Sequence, residues 1–512
     1  MSPSHPVTRT LVTLVLSAAV CQSAIAQEID ISAVSGEADA LFRQGRDAFH
    51  ETWFERADEL LAETLAVDPE LAIGHAYKAA AEAFLYFDSD DRMARAVELA
   101  DNASEGERMM VESLAAFVAG DLQSAALTLR RLISRFPDDA HARHALGFTL
   151  VDLGMAAQGI PILTELIEEQ PEFSAAWNHL GYAYLDEGEV ALAEQSLARF
   201  ISESPHNPSA RDSWADLMAT TGRLDAAVAS LARALLLEPG YGYAMQHMGD
   251  VLLMEGSADM ARAAYARAGE VGDGYSPRFR LMNEERIAAT WVRQLQFEQA
   301  DSILESLGEL AEELAEPAMA VTAHRARLLV ALSQNNSAMA AEILEAYSGF
   351  LDRLGRDEAE LGEPAYYRFF TGWHAIVAGR LTEAESAISE LEEMSFHEGS
   401  VELQLAARLL GELALARLDY PAAVDALESL AIADPLVQVR LALAYEGDGK
   451  PAAAEALFEA AATCDGFDIE CALAAALSAP LFPAHWALPD YGAPDPEKNA
   501  PEDDPDDESV SI

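Results

Sequence analysis

Four prolines, Pro137, Pro171, Pro205 and Pro239, stand 34 residues apart, and Pro69 keeps the same phase two periods earlier. A second row on the same lattice holds Gly147, Gly181 and Gly249, with Ala215 in the slot between the last two and Gly45 three periods upstream of Gly147. A third reads Ala57, Ala125, Gly159, Ala193, Ala227 and Ala261. Three rows of small or helix-breaking residues in one register mark a chain assembled from copies of one short unit. The 512 residues therefore need not divide into the three or four independent domains that length alone suggests.

The best unit, residues 174 to 207, shows what each copy folds into. Trp177, Leu180, Gly181 and Tyr184 recur at helical spacing and form one face of a first helix, which Asp186-Glu187-Gly188 ends. A second helix carries Ala193, Leu197 and Phe200 on one face, and Pro205 stops it because proline cannot continue a helix. The small residues at 181 and 193 allow two antiparallel backbones to approach closely, while Trp177 and Tyr184 fill space against the next unit. One unit cannot bury its own apolar stripe, but a stack can.

This pattern resembles the tetratricopeptide repeat, whose W-x2-LG-x2-Y, A-x3-F and P positions are matched by Trp177, Leu180, Gly181, Tyr184, Ala193, Leu197 and Pro205, with Leu in place of Phe. The units at 140–173, 208–241 and 242–275 match less completely but stay in register. The unit at 72–105 departs, with Asp91 where Ala is expected and a second helix displaced by Asp88-Ser89-Asp90-Asp91. Register weakens after 280 and returns in Gly372, Ala384 and Leu391, in Gly411, Ala423, Leu427 and Pro435, and in Tyr445, Ala454 and Phe458. The resemblance implies an all-α fold, a right-handed superhelical solenoid of antiparallel helix pairs. It divides into a regular array over 38–275 and a degenerate one over 281–475, with the interruption at Val271–Pro277 between them.

Both ends of the chain read differently. Residues 1–26 hold one charge, Arg9, then the apolar stretch Leu11 to Val20 and Ala24-Ile25-Ala26, the plan of a secretory signal peptide cleaved to leave Gln27 first. A membrane anchor would need roughly 20 apolar residues, and a lipoprotein would need a small residue where Val20 precedes Cys21. The expected location is periplasmic or secreted, with no transmembrane segment. Residues 489–512 carry nine acids against Lys498 alone and are expected to be disordered. In an oxidising compartment Cys464 and Cys471 would pair, given a turn at Asp465-Gly466, since on one continuous helix they would lie about 10 Å apart.

Charge removes one class of function. With 33 Lys+Arg against 87 Asp+Glu the net charge is −54, a surface that repels nucleic acid. Lysine occurs only at 78, 450 and 498. Salt adaptation accounts for such a surface, and so does attraction of a basic partner or of divalent cations that bridge to anionic envelope lipids. Motifs for catalysis are lacking: there is no G-x-S-x-G elbow, Gly-rich phosphate loop or H-E-x-x-H helix. His141 and His144 share one helix face, but two ligands do not close a zinc site, and the pair reads as a solvated face. The Asp88–Asp91 cluster lacks the glycine and distant glutamate of a calcium loop. No cofactor and no enzymatic activity are implied.

Function is therefore sought in binding. Arrays of the family the chain resembles bind partners on their concave surface, and offsets 2, 5, 9 and 12 of each first helix form a stripe pointing into it. That stripe is His141, His144, Phe148 and Val151, then Ala175, Asn178, Tyr182 and Leu185, then Ser209, Asp212, Asp216 and Ala219, then Tyr243, Gln246, Asp250 and Leu253. Family members that clamp a C-terminal carboxylate use Lys or Arg here, and this stripe has none. His144, Phe148, Asn178, Tyr182, Asp212, Asp216, Tyr243, Gln246 and Asp250 are the expected contacts, with aromatic anchors, an amide for an extended backbone, and aspartates favouring a basic protein or peptide. The expected role is an exported scaffold in an envelope process; the alternative is a ligand-sensing domain enclosing a small molecule within 281–475.

Overall fold

Gly120, Gly154, Gly188, Gly222 and Gly256 all adopt left-handed backbone, with φ between 69° and 80°. They too stand 34 residues apart, and each reverses the chain between the two helices of a pair, a conformation that costs an L side chain about 1 kcal/mol or more. The computed structural model describes residues 28–271, 274–354, 363–395, 397, 399–430, 434–464 and 466–478. Among these, twenty-five helices and no strand are found, and no helix is long and apolar enough to cross a membrane. The expected signal peptide at 1–26 and the acidic tail at 489–512 lie outside the described residues.

Helices form consecutive antiparallel pairs. The first three pairs are α1 (Gly36–His50) with α2 (Phe54–Val67), α3 (Ala72–Phe84) with α4 (Asp90–Ala100), and α5 (Glu105–Val118) with α6 (Leu122–Arg135). Four regular pairs follow: α7 (Ala140–Asp152) with α8 (Ala156–Glu169), α9 (Ser174–Asp186) with α10 (Val190–Glu203), α11 (Pro208–Thr220) with α12 (Leu224–Leu237), and α13 (Gly242–Met254) with α14 (Ala258–Gly269). The fold is a helical solenoid, as the repeat lattice requires. Pairs close where glycine permits: a Cβ on Gly181 would lie 2.5 Å from Leu197 Cγ, and one on Gly147 would lie 2.6 Å from Leu163 Cγ.

Beyond residue 276 the units lengthen. The pairs α15 (Pro277–Arg293) with α16 (Phe297–Glu313) and α17 (Pro317–Ser333) with α18 (Ser337–Leu354) start 40 residues apart, and their helices run to 17 or 18 residues. A 34-residue lattice loses phase over such units, which is why 281–364 read as degenerate although α15 to α18 pair regularly. Proline at the first turn of α15 and of α17 marks the longer period. The chain continues with α19 (Glu363–Val377) and α20 (Leu381–Met394), α21 (Val401–Ala416) and α22 (Tyr420–Leu427), α23 (Pro435–Gly447) and α24 (Pro451–Ala462), and then an unpaired α25 (Ile469–Ser478).

Two segments outside the pairing lattice hold the stack together. The extended residues 28–35 lie across the starts of successive units: Ile29, Ser32 and Val34 donate backbone N–H groups to the carboxylates of Asp139, Glu107 and Asp68 at 3.1, 3.0 and 2.9 Å. Glu107 and Asp139 also cap α5 and α7, so the same carboxylates end helices and bind this strap. At the other end, Cys464 and Cys471 are joined by a disulfide. It staples the bend that turns α25 back against α15, α17 and α23. Arg293 of α15 donates to the carbonyls of Cys464 and Gly466 at this bend, at 3.1 and 2.6 Å.

Candidate functional site in the concave groove

In the first two pairs the left-handed turn position passes from glycine to Thr52 (φ 57°) and Tyr86 (φ 64°), on the same 34-residue row. A non-glycine residue there carries a backbone cost of about 1 kcal/mol or more, and such residues cluster at functional sites. Both side chains project into the groove that α7, α9, α11 and α13 form, where they line one cavity of ≈ 420 Å³.

The α1–α2 turn is bound there by polar contacts. Glu51 accepts hydrogen bonds from the hydroxyls of Ser174 and Ser204, the latter at 2.8 Å, and its backbone carbonyl accepts from Asn207 Nδ2 at 3.0 Å. Thr52 Oγ1 meets the Ser209 hydroxyl and accepts from Asn178 Nδ2 at 3.4 Å. Nearby, Tyr243 donates to the Phe84 carbonyl, Ser276 N to the Leu85 carbonyl at 3.1 Å, and Tyr275 to the Glu55 carboxylate. The inner ends of the first two units are thus seated on units four to eight.

Six of the nine expected contacts, Phe148, Asn178, Tyr182, Asp212, Asp216 and Tyr243, line this cavity. His144 lies next to it, in a smaller apolar recess shared with Phe49, Phe117 and Leu114. Gln246 and Asp250 are placed elsewhere: Gln246 Nε2 reaches Asn283 Oδ1 of α15 at 3.5 Å, and Asp250 accepts from Tyr265 at 2.7 Å and pairs with Arg286 at 2.8 Å. Offsets 5 and 9 of α13 are thus taken up by partners on α14 and α15. Among the described residues no Lys or Arg lines the cavity.

The reading of His141 and His144 as a solvated face requires correction. His144 is only 1% exposed. His50 of α1 and His179 of α9 close on it from opposite sides, with His50 Nδ1 to His144 Nδ1 at 2.7 Å and His144 Nε2 to His179 Nδ1 at 2.9 Å. Hydrogen-bond roles along this chain follow from its ends. The Ala175 carbonyl 3.2 Å from His179 Nδ1 requires a proton on that nitrogen, so His144 accepts at Nε2 and donates from Nδ1 to His50, whose Nε2 then donates to Tyr77 at 2.9 Å. Burial holds His50 and His144 well below the usual imidazole range and His179 down to about 4, so all three rings are neutral at pH 7. His179 Nε2 is left as an acceptor. His141 instead bonds Asp47 at 2.8 Å.

Sequence reasoning missed the row one residue beyond the stripe: Ala145, His179, Ser213 and His247, again 34 apart, line the two recesses. Two histidines on one lattice row were the available signal. His247 Nδ1 lies 2.9 Å from Asp212 and 3.8 Å from Asp216, and Asp216 accepts from Tyr182 at 2.9 Å. Burial opposes charge on this imidazole, but the two aspartates outweigh it and raise it to about 10; burial lifts Asp216 to about 6. A folded-state value above the unfolded one gives stability that is complete below about pH 6.5 and disappears as pH rises through 10. His247→Gln should therefore melt below wild type at pH 7, with the gap in Tm narrowing toward pH 10. A gap that stays constant would mean that the imidazolium does not hold the two carboxylates.

With this geometry established, comparison with known proteins identifies the repeat. Residues 144–208 and 408–469 match the tetratricopeptide repeat model. Those two stretches are tetratricopeptide repeats. The first matched stretch begins at His144 and takes in the α9–α10 pair that carries Asn178 and Tyr182; the second spans α21 to α24, so the repeat runs in both halves of the solenoid. No curated protein matches the sequence. Among solved structures, a thermophilic TPR protein from Thermus thermophilus is similar over 35% of this chain and 96% of its own, with 21% identity and a TM-score of 0.32. A tetratricopeptide repeat protein from Parabacteroides merdae is similar over 46% and 94%, with 14% identity and a TM-score of 0.34.

Proposed function

We propose that this tetratricopeptide-repeat protein is an exported, non-catalytic scaffold that binds a protein or peptide in the concave groove of its first array, in service of an envelope process. The observation that carries the reading is the convergence of Phe148, Asn178, Tyr182, Asp212, Asp216 and Tyr243, from four successive units, on one cavity. Aromatic anchors beside a few convergent polar groups are what a recognition pocket needs. Export rests on the arrangement of residues 1–26, and cleavage after Ala26 would keep the strap, whose first contact is made by Ile29.

Crosslinking in the native envelope followed by pull-down recovers the partner, and the triple change of Asn178, Tyr182 and Asp216 to Ala tests the groove. Expected is a loss of at least about tenfold in affinity, the effect of removing one or two central contacts, with the helical circular dichroism retained. Unchanged affinity in a folded variant would overturn the groove assignment. The export reading fails separately, if N-terminal sequencing returns Met1 or a lipidated Cys21 in place of Gln27.

A further inference from the structure

The polar lining of the groove cavity is one-sided. Its carboxylates, Asp152, Asp212 and Asp216, face no Lys or Arg among the described residues that line it, and His247 is the cationic partner of the last two. Among the described residues Asp152 has no ion pair at all. His179 presents a bare Nε2 acceptor, because its Nδ1 proton is committed to the histidine chain. Asn178 is 1% exposed, and while its Nδ2 is bonded to Thr52, its Oδ1 is buried with no hydrogen-bond partner. An orphaned buried acceptor costs about 1–3 kcal/mol, which a donor entering the cavity would recover.

The walls suit a cation as well. Phe54 and Phe84 stack at 4.1 Å with an interplanar angle of 3°, and Tyr86, Phe148 and Tyr182 add further rings around the same space. Aromatic faces attract ammonium and guanidinium groups, more strongly when both are shielded from water. Thr52 and Tyr86 carry left-handed backbone at the turn where the next five units use glycine, as Leu295, Ala315, Asn335 and Leu418 also do farther along the chain, and here both side chains line the cavity. The net charge of −54 draws cations toward the surface, though without selecting among them. Selection must come from the cavity, which sets three carboxylates and an unpartnered amide oxygen among aromatic walls.

We propose that this cavity is a subsite for a guanidinium or ammonium group on an apolar stem, through which the groove reads an arginine or lysine side chain of its polypeptide partner. The inference rests on the groove being the binding surface and adds what it selects. Asp152 and Asp216 would face the charge, Asn178 Oδ1 and His179 Nε2 would accept its N–H groups, and the Phe54–Phe84 pair would flank the stem.

The test uses the full mature chain and three probes: an end-blocked pentapeptide Ala-Ala-Arg-Ala-Ala, the same peptide with citrulline for arginine, and agmatine as the free small cation. Citrulline keeps the shape and loses the charge. Expected by calorimetry is binding of the arginine peptide at least tenfold tighter than the citrulline peptide, with agmatine competing for the same site. Asp152→Asn and Asp216→Asn should each weaken the arginine peptide about tenfold and the citrulline peptide by less, narrowing the preference between them, whereas Glu165→Gln, on the outer helix α8, should change neither. Should Asp216→Asn fail to fold, Asp152→Asn decides, since Asp152 has no ion pair to lose. Equal affinity for the two peptides, no binding of any probe, wild-type affinity in the aspartate variants, or an equal loss in Glu165→Gln would overturn the proposal. Agmatine binding without peptide binding would overturn the polypeptide source. If these results failed while the Asn178/Tyr182/Asp216 triple variant still lost its native partner, the groove reading would stand and only the cation subsite would fall.

Discussion

Gly181→Val is expected to destabilise the protein by about 3 kcal/mol, toward the upper end of what overpacking costs. Helix propensity alone predicts the opposite sign, since glycine inside a helix costs about 1 kcal/mol relative to alanine. Space decides the matter. A Cβ at 181 would lie 2.5 Å from Leu197 Cγ and 2.6 Å from its Cδ2, and Leu197 is itself only 1% exposed, so it has nowhere to retreat. The damage should concentrate at α9 and α10, because each unit of a solenoid is stabilised chiefly by its neighbours. A double-mutant cycle in urea tests the cause: Leu197→Ala alone should cost about 2–3 kcal/mol as a cavity, but combined with Gly181→Val it should cost less than the sum by more than about 1 kcal/mol, because the truncated side chain makes room. Additive losses would mean that the close approach of α9 and α10 is not what glycine serves.

Phe49→Ala is expected to cost about 3–5 kcal/mol, the range for removing a buried phenylalanine. Phe49 is 7% exposed and sits edge-on to Phe54, Tyr77 and Phe84, with ring centroids at 5.6, 5.4 and 6.0 Å. It is the common neighbour of three rings from α2 and α3, so its loss opens the cluster rather than one contact. The consequence reaches function, because Phe54 and Phe84 form a wall of the groove cavity and His50 follows Phe49 directly into the histidine chain. Hydrogen exchange should show α1 to α3 loosening while α9 to α12 stay protected. Uniform loss of protection would show that the first units are not a separable layer on the groove.

Helix pairing was legible because it depends on residues close in sequence. Gly181 and Ala193 lie within one unit, and the 34-residue spacing of prolines and glycines is written along the chain. Where the unit grew to 40 residues, in α15 to α18, the signal weakened although the physics did not change: the same kinds of apolar face pair over longer helices, and Pro277 and Pro317 still open them. Of the stripe expected to face the groove, Phe148, Val151, Asn178, Tyr182, Ser209, Asp212, Asp216 and Tyr243 line the cavity. Gln246 and Asp250 instead meet Asn283, Tyr265 and Arg286, two of which lie on α15 outside their own unit, so their offsets alone did not reveal them.

What the sequence by itself determined is the all-helical pairing and the 34-residue period of the regular units, both of which follow from periodicity within a few turns of chain. What sits in the groove was decided by the tertiary structure alone. His50 meets His144 across 94 residues, Asn178 meets Thr52 across 126, and Tyr275 meets Glu55 across 220. No local pattern encodes such partners; they arise because the curvature of the stack brings the first two units over the inner faces of later ones. There a threonine and a tyrosine at positions where five units use glycine become part of the wall, and histidines that would be charged or solvated on an isolated helix become a buried neutral chain.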